Sequence, residues 1–407
     1  MEKRPIKKTT KPELLSPVGN FTMLHAAINA GADAVFFSTD KLNMRQAANN
    51  FKLGDLQKVT SICHKNKVKA YLTLNSIIYD HELRLLEKIT LAAKKAKVDA
   101  IICWDRSVVE AAKKAKIPIH LSTQASVSNA ASAASYMKEY GVKRIVLARE
   151  CSLKDIISIK KKLPKLEIET FCHGAMCISI SGRCFMSQST FGKSANRGEC
   201  LQNCRREYTI KDKDREFELK VGSNYVMSPN DLCTLPFIDQ LLDAKISSFK
   251  IEGRNRSPEY VKVVTESYRK AIDAHFEGKL TKKLKTQLVK KLKTVYNRGF
   301  SSGFFLGKPI NEWANNYGSK ATRKKQYIGK VTNFYSKVGV AEIKIDSGSL
   351  KVGQSIMIQG HKTGVVEEKI TSIEVDKKKI QTAKKPESVG IKIKSKVREN
   401  DQVYVYT

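Results

Sequence analysis

The feature that most narrows the folds open to this chain is a rhythm: from residue 13 to about 255, short β-branched or apolar runs alternate with longer amphipathic stretches. Such alternation marks βα units around a parallel sheet, because each crossover between parallel strands needs a helix-length connection. Eight strand candidates follow one another, at 13–17, 33–38, 69–75, 100–105, 119–123, 144–150, 167–174 and 247–253. Between them lie helical patterns such as FTMLHAAINAGA, HELRLLEKITLAAKKAK and SLKDIISIKKKL, several ending near glycine or lysine as helix C-termini tend to do. Eight strands with alternating helices predict an α/β fold, a (β/α)8-like barrel of the TIM type.

In such barrels the active-site groups sit at the C-terminal ends of the strands. Asn75, Asp105, Gln124, Arg149 with Glu150, His173, and Glu252 with Arg254 all fall at or just past a predicted strand end. Each alone also reads as a turn former, a cap, a hydrogen-bonded core group or a surface charge, but their joint placement points to a site. A carboxylate beside a guanidinium, as in Glu252 with Arg254, suits a carboxylated co-substrate or proton transfer; a structural salt bridge is the plainer alternative.

The seventh connection, about 175–246, is far longer than an ordinary βα loop and holds Cys177, Cys184, Cys200 and Cys204 in a polar, glycine-dotted stretch. Few apolar runs there would bury thiols, so these read as ligands. Cys200 and Cys204 would share one face of a helical turn, with Cys177 and Cys184 approaching from the preceding loop. The spacing leaves structural zinc and an iron–sulfur cluster equally open. Cys233 is a reserve ligand whose plainer reading is a core thiol, and Cys63, Cys103, Cys151 and Cys172 read as buried near strands. Residues 225–228 lead into PNDLCTLPFIDQLLDAK, which predicts a turn with Asn230 or Asp231 near a helix start.

After the eighth strand, Ser257 as N-cap and Pro258 at the first helical position open a long amphipathic helix. A second helix is expected over about 282–296, then an aromatic, glycine-rich loop at 297–304. From Gln326 the texture changes to short alternating strands, which predicts a small antiparallel β-barrel. The expected plan is a basic tail at 1–12, a barrel domain at 13–314, a linker at 315–325 and the β-barrel at 326–407.

Charge then narrows the partner. Lys and Arg total 74 against 40 acidic residues, a formal charge of +34 with a pI near 9.7. A nucleic acid would use that excess directly, whereas a lysine-rich solvated surface would leave it idle. Arg197, Arg205 and Arg206 beside the cysteines, with Lys320, Arg323, Lys324 and Lys325 in the linker, are the phosphate-binding candidates. Phe300, Phe304 and Tyr317 are the aromatic groups expected either to stack on a base or to pack against the domain. No stretch has the length of a signal peptide or membrane span, so a cytoplasmic chain with reduced or metal-bound cysteines and no membrane partner is expected.

The segment HGAMCISISGRCFMSQ followed by ANRGECLQNCRREY resembles the signature of the peptidase U32 family. ELLSPVGNFTMLHAAINAGADAVFF, LSTQASVSN, RIVLARECSLKDI, NDLC, FKIEGRNRSPEYV and NRGFSSGFFLGKP resemble further family blocks, so the likeness covers nearly the whole chain. The family is named for collagenase-like proteases, but better understood members resemble oxygen-independent or prephenate-dependent hydroxylases with a 4Fe–4S cluster. Most similar is the branch that makes 5-hydroxyuridine at the tRNA wobble position and has a C-terminal β-barrel. The resemblance implies that Cys177, Cys184, Cys200 and Cys204 hold the cluster and that tRNA is the partner, with a related partner subunit left open. If this branch uses prephenate, its two carboxylates would find Arg149, Arg183 and Arg254, with Gln124 and Asn75 nearby.

Three other readings stay open beside it. One is a peptidase, for which the sequence offers little support of its own: His81-Glu82 lacks the second histidine of HExxH, and neighbours such as Cys172 and His173 on a strand face opposite ways. A ribosomal RNA cytidine hydroxylase of the same family is the second. A non-catalytic RNA-binding protein with a structural metal would also fit the composition.

Overall fold

Strands β1 (Glu13–Pro17), β2 (Ala34–Phe37), β3 (Lys69–Thr73), β4 (Ala100–Cys103), β5 (Ile119–Leu121), β6 (Arg144–Val146) and β7 (Glu167–Gly174) pair in parallel, each with the next. A short strand, β8 (Asp231–Cys233), runs antiparallel to β7, and then β9 (Ser248–Ile251) pairs in parallel with both β7 and β1. That last pairing closes an eight-stranded parallel barrel, as the sequence rhythm predicts. The computed structural model describes residues 10–209, 213–214, 227–309, 312–316 and 318–407. Most of the basic tail, the first half of the 225–228 turn and Tyr317 lie outside the described residues.

Helices α1 (Phe21–Asn29), α2 (Leu56–Lys65), α3 (Leu83–Lys95), α4 (Arg106–Ala115), α5 (Ala130–Tyr140) and α6 (Leu153–Lys162) follow β1 to β6 in turn. In α3 the buried residues are Leu86, Ile89, Thr90 and Ala93, spaced so that one stripe faces the sheet. Losing Leu86 to alanine would cost about 2–5 kcal/mol. Starts are set by caps: Asn20 accepts from the Met23 amide, and Ser152 and Asp155 form a capping box, each worth about 1 kcal/mol. Asp105 is the N-cap of α4, accepting from the Ser107 amide at 2.9 Å, so β4 ends at Cys103 rather than running to 105.

Among the described residues, the insertion after β7 contains α7 (Met186–Phe191) and short turns. Asn230 and Asp231 do not start a helix as the sequence suggested: Asp231 begins β8, and α8 (Ile238–Asp243) starts later, after Pro236. The reason is tertiary, since Asp231 is buried against Arg298 at 3.2 Å and β8 pairs with β10 (Phe300–Ser301). Before β10 come α9 (Pro258–Phe276) and α10 (Lys282–Leu292), the latter ending four residues short of the expected 296.

The remainder is β11 (Lys325–Tyr335), β12 (Val340–Ile345), β13 (Ser349–Lys351), β14 (Ser355–Gly360), β15 (Gly364–Lys369), β16 (Ile373–Val375), β17 (Lys378–Ile380), β18 (Thr382–Lys384), β19 (Ser388–Lys392) and β20 (Gln402–Tyr406). Eight of these make one antiparallel sheet in the order β15-β14-β20-β11-β12-β19-β16-β17, while β13 and β18 pair separately. Ile328, Ile343, Ile356, Ile391 and Val403 lie in its core. The stretch 365–375, VVEEKITSIEV, is divided between β15 and β16. This unit rests on α1 through Ala26, Met357 and Val365. Gly364, at φ +72°, permits that contact, because a Cβ there would stand 2.8 Å from the Ala26 amide nitrogen. Among the described residues no helix is long and apolar enough to cross a membrane.

Candidate functional site

The C-terminal ends of the strands open into a cavity of about 130 Å³ roofed by the insertion. Its lining includes all four cysteines, Cys177, Cys184, Cys200 and Cys204, together with Gln124, Arg149, Arg205 and Glu252 from the sequence-predicted set. It also includes Arg45, Arg256 and Arg298, which the sequence reasoning did not single out. Among the described residues, five arginines thus face a single carboxylate, and no histidine belongs to the lining.

Gly198 lets the insertion come down on the barrel. Its φ is +91°, and a Cβ there would meet the Asn43 carbonyl oxygen at 2.4 Å, so the chain bearing Cys200 approaches the β2 loop as bare backbone. Arg205 fastens the same insertion by donating to Ser228 Oγ at 3.0 Å, to the Pro229 carbonyl at 2.8 Å and to the Met176 carbonyl. That guanidinium is largely committed to holding the loop.

The thiols are half-buried except Cys200, which is exposed. Cys184 Sγ accepts from the Met186 amide at 3.3 Å, and Cys177 Sγ lies 3.4 Å from Ser179 Oγ. Burial pushes the Cys204 thiol up in pKa, Arg205 opposes this, and Cys177, Cys200 and Cys184 add to the rise. All four cysteines line the one cavity. Among the described residues no three His, Cys, Asp or Glu side chains stand close enough to hold a single metal ion.

Glu252, at the end of β9, has Arg45 as its ion-pair partner at 3.9 Å. Burial pushes its carboxyl upward, but Arg45, Arg256, Arg149 and Arg254 outweigh that and hold it below the usual carboxylate range. Arg149 donates to the Ala175 carbonyl at 2.9 Å and lies 4.0 Å over the Phe171 ring, while its buried Nε has no hydrogen-bond partner. Arg256 lies 3.7 Å over Tyr296. An anionic ligand is what this lining is built to receive.

Other predicted residues stand elsewhere. Arg254 is buried beside the cavity rather than on its lining, donating to Ser38 Oγ and to Asn43 Oδ1 at 3.4 Å. Asn75 supports from behind, accepting from the Met44 amide at 3.2 Å and donating to Gln124 at 3.2 Å. Glu150 does not pair with Arg149, because β6 stops at Val146 and the two fall in a turn; Glu150 is exposed and meets only the Ser181 amide at 3.4 Å. Arg183 is exposed, donates to Ser126 Oγ at 2.9 Å and lies off the cavity.

His173 packs among Tyr260, Tyr268 and Phe300, 3.4 Å from the Tyr268 hydroxyl, and burial with Arg256 lowers its pKa to about 3. It is neutral at physiological pH and away from the lining. Cys233, the reserve ligand, is 2% exposed on β8 opposite His173, and burial pushes its thiol up to about 12, so it sits as a core thiol. Of the phosphate-binding candidates, Arg197 is engaged by Glu82 and the Ile77 carbonyl, and Lys325 pairs with Glu259 at 3.0 Å; Arg206 and Lys324 are exposed.

The residues missed had a findable signal. Every βα loop of a barrel contributes to the mouth, yet the long loop after β2, which carries Arg45, was given no role. Arg256 lies two positions past Arg254 on the same strand exit, and Arg298 belongs to the 297–304 loop that was read only for its aromatics.

A sequence model of peptidase family U32 matches residues 19–315. The protein named Collagenase in Porphyromonas gingivalis (strain W83) is 42% identical over 96% of this chain and 97% of its own length. The one named tRNA hydroxylation protein P1 in Bacillus subtilis is 35% identical over 80% of this chain and 78% of its own. An Escherichia coli protein named as a 23S rRNA 5-hydroxycytidine synthase is 30% identical over 82% of this chain and 56% of its own.

Proposed function

The chain belongs to peptidase family U32, and from that premise we propose that it is a cytoplasmic RNA-modifying enzyme that hydroxylates the wobble uridine of tRNA to 5-hydroxyuridine, using an iron–sulfur cluster. The observation that carries the reading is the convergence of four thiols and five arginines on one cavity at the catalytic end of the barrel. Relatives named for tRNA and rRNA hydroxylation support it.

The residues fit a cluster better than zinc. Tetrahedral zinc at about 2.3 Å from each sulfur needs thiols about 3.8 Å apart, and no three ligating side chains among the described residues meet in that way. A 4Fe–4S cluster takes four cysteine thiolates, and Cys177, Cys184, Cys200 and Cys204 on the cavity wall would hold it. Converting C5–H to C5–OH needs an oxygen donor and a two-electron acceptor besides the cluster, and a bound cluster would supply the electron transfer between base and acceptor. Around it this chain contributes charge: Arg45, Arg149 and Arg256 bind and orient an anionic co-substrate such as prephenate, and Glu252, kept ionised, is placed to take a proton. Roofing by the insertion limits water.

The test is mass spectrometry of tRNA nucleosides after gene deletion, with iron and sulfide analysis of protein purified without oxygen. Loss of 5-hydroxyuridine and about four irons per chain are expected; unchanged nucleosides would sink the assignment. A peptidase is the second reading, favoured by the name of the 42% identical relative. Against it, the adjacent Cys172 and His173 form no working dyad: Cys172 is fully buried with its pKa pushed far up, and His173 is buried and neutral.

A further inference from the structure

The outer face of the cysteine-bearing insertion carries a feature that the cavity leaves unexplained. Ile178, Ile180, Phe185, Phe191 and Leu201 are each between 42% and 71% exposed. Phe185 directly follows Cys184 and Leu201 directly follows Cys200, so the turns that bring these cysteines to the cavity lining hold apolar groups out at its rim. Grouped apolar exposure beside a site signals an occupant. Cations flank it: the Arg206 guanidinium lies 5.2 Å over the Phe191 ring, and Arg183 is exposed two residues before Phe185.

We propose that this rim is a stacking platform for the unpaired bases that flank the target in a single-stranded RNA loop. The inference rests on the RNA-modifying reading above. Every base offers an apolar π face but trails a phosphate, so a patch that reads loops without reading sequence needs aromatic rings interleaved with guanidinium groups. The formal charge of +34 complements a polyanion and disfavours a second copy of this chain. Phe185 and Phe191 supply the rings, while Arg206 and Arg183 supply the phosphate partners.

The test is equilibrium binding of the full chain to a synthetic RNA hairpin with an unpaired loop, and to the same stem as a complete duplex. Phe185→Ala should weaken hairpin binding about tenfold and leave duplex binding unchanged, while Phe185→Tyr restores it. Its salt dependence should match the wild type, whereas Arg206→Gln should flatten the slope of log affinity against log salt by about one. Phe185 is 71% exposed, so an unchanged melting curve is expected and checks the fold. Equal hairpin affinity of wild type and Phe185→Ala would overturn the platform while leaving the RNA assignment standing. Wild-type protein that binds neither RNA would overturn both. A wild-type dimer abolished by Phe185→Ala, with RNA affinity intact, would assign the patch to a second copy instead.

Discussion

Glu252→Gln tests the electrostatics of the cavity directly, because among the described residues it removes the one carboxylate from a lining with five arginines. At 3.9 Å from Arg45, an effective dielectric constant of about 20 gives an attraction of about 4 kcal/mol. Arg45 is 35% exposed, so water recovers part of that; the other arginines add longer-range attraction, and about 3 kcal/mol of stability is the net expectation. The pH dependence fixes the cause. A carboxyl whose folded pKa lies below its unfolded value contributes fully above the unfolded value and loses that contribution as pH falls through the folded one. Urea denaturation of wild type and Glu252→Gln should therefore differ by about 3 kcal/mol at pH 7, and the gap should close as pH drops through and below the ordinary carboxylate range. A gap that is constant, or that widens in acid, would refute the reasoning. Hydroxylation should fall by about a hundredfold or more even where the variant is folded.

Cys200→Ser or Cys204→Ala should abolish iron and sulfide content in protein purified without oxygen, whereas Cys233→Ala should retain both and lower only the denaturation midpoint, which elemental analysis and urea titration would separate. His173→Gln should leave the pH profile of activity between 5 and 8 unmoved, since the folded imidazole titrates only near 3. Because that lowered value makes the unfolded chain bind the proton first, wild-type stability should fall as pH drops from about 6.5 toward 3, and the variant should lose less. Gly198→Ala meets both a positive φ and the Asn43 carbonyl at 2.4 Å, so it should shift the insertion, cost about 1–3 kcal/mol and reduce iron content while the barrel's circular dichroism persists.

The barrel was legible because parallel strands covered on both faces must read as apolar runs, as AVFF of β2 and AIIC of β4 do. The clustering of four cysteines was legible from their polar surroundings. Strand-end chemistry was less so, since a residue just past a strand can turn in any direction. Asp105 went to a helix cap, His173 to an aromatic pocket and Arg254 behind the β2 loop. Arg45 and Arg298 are harder to read for another reason: they reach the site from loops far away in sequence, where only the rule that every βα loop contributes to a barrel's mouth singles them out from surface arginines. Asp231 was misread because its segment has helix-start chemistry, which the buried ion pair with Arg298 overrides.

Buried charge within the barrel explains how the arginines at its mouth are held. At the other end Glu13, Arg144, Glu169 and Lys250 form a buried network, with Lys250 Nζ 2.9 Å from Glu169 and Arg144 within reach of Glu13, Glu167 and Glu169. The Lys250 ammonium lies 4.5 Å from the Phe36 ring and 5.6 Å from that of Phe171. The same two rings carry guanidinium groups: Arg254 at 5.9 Å from Phe36 and Arg149 at 4.0 Å from Phe171. Each ring therefore serves two cations, and attraction to its π face helps to offset desolvation that would otherwise fall on hydrogen bonds alone. Arg149 needs this most, because its Nε is unpartnered and burial lowers its pKa. A guanidinium held by a ring and one carbonyl keeps donors directed into the cavity, which is the state an anion-binding group requires before its ligand arrives.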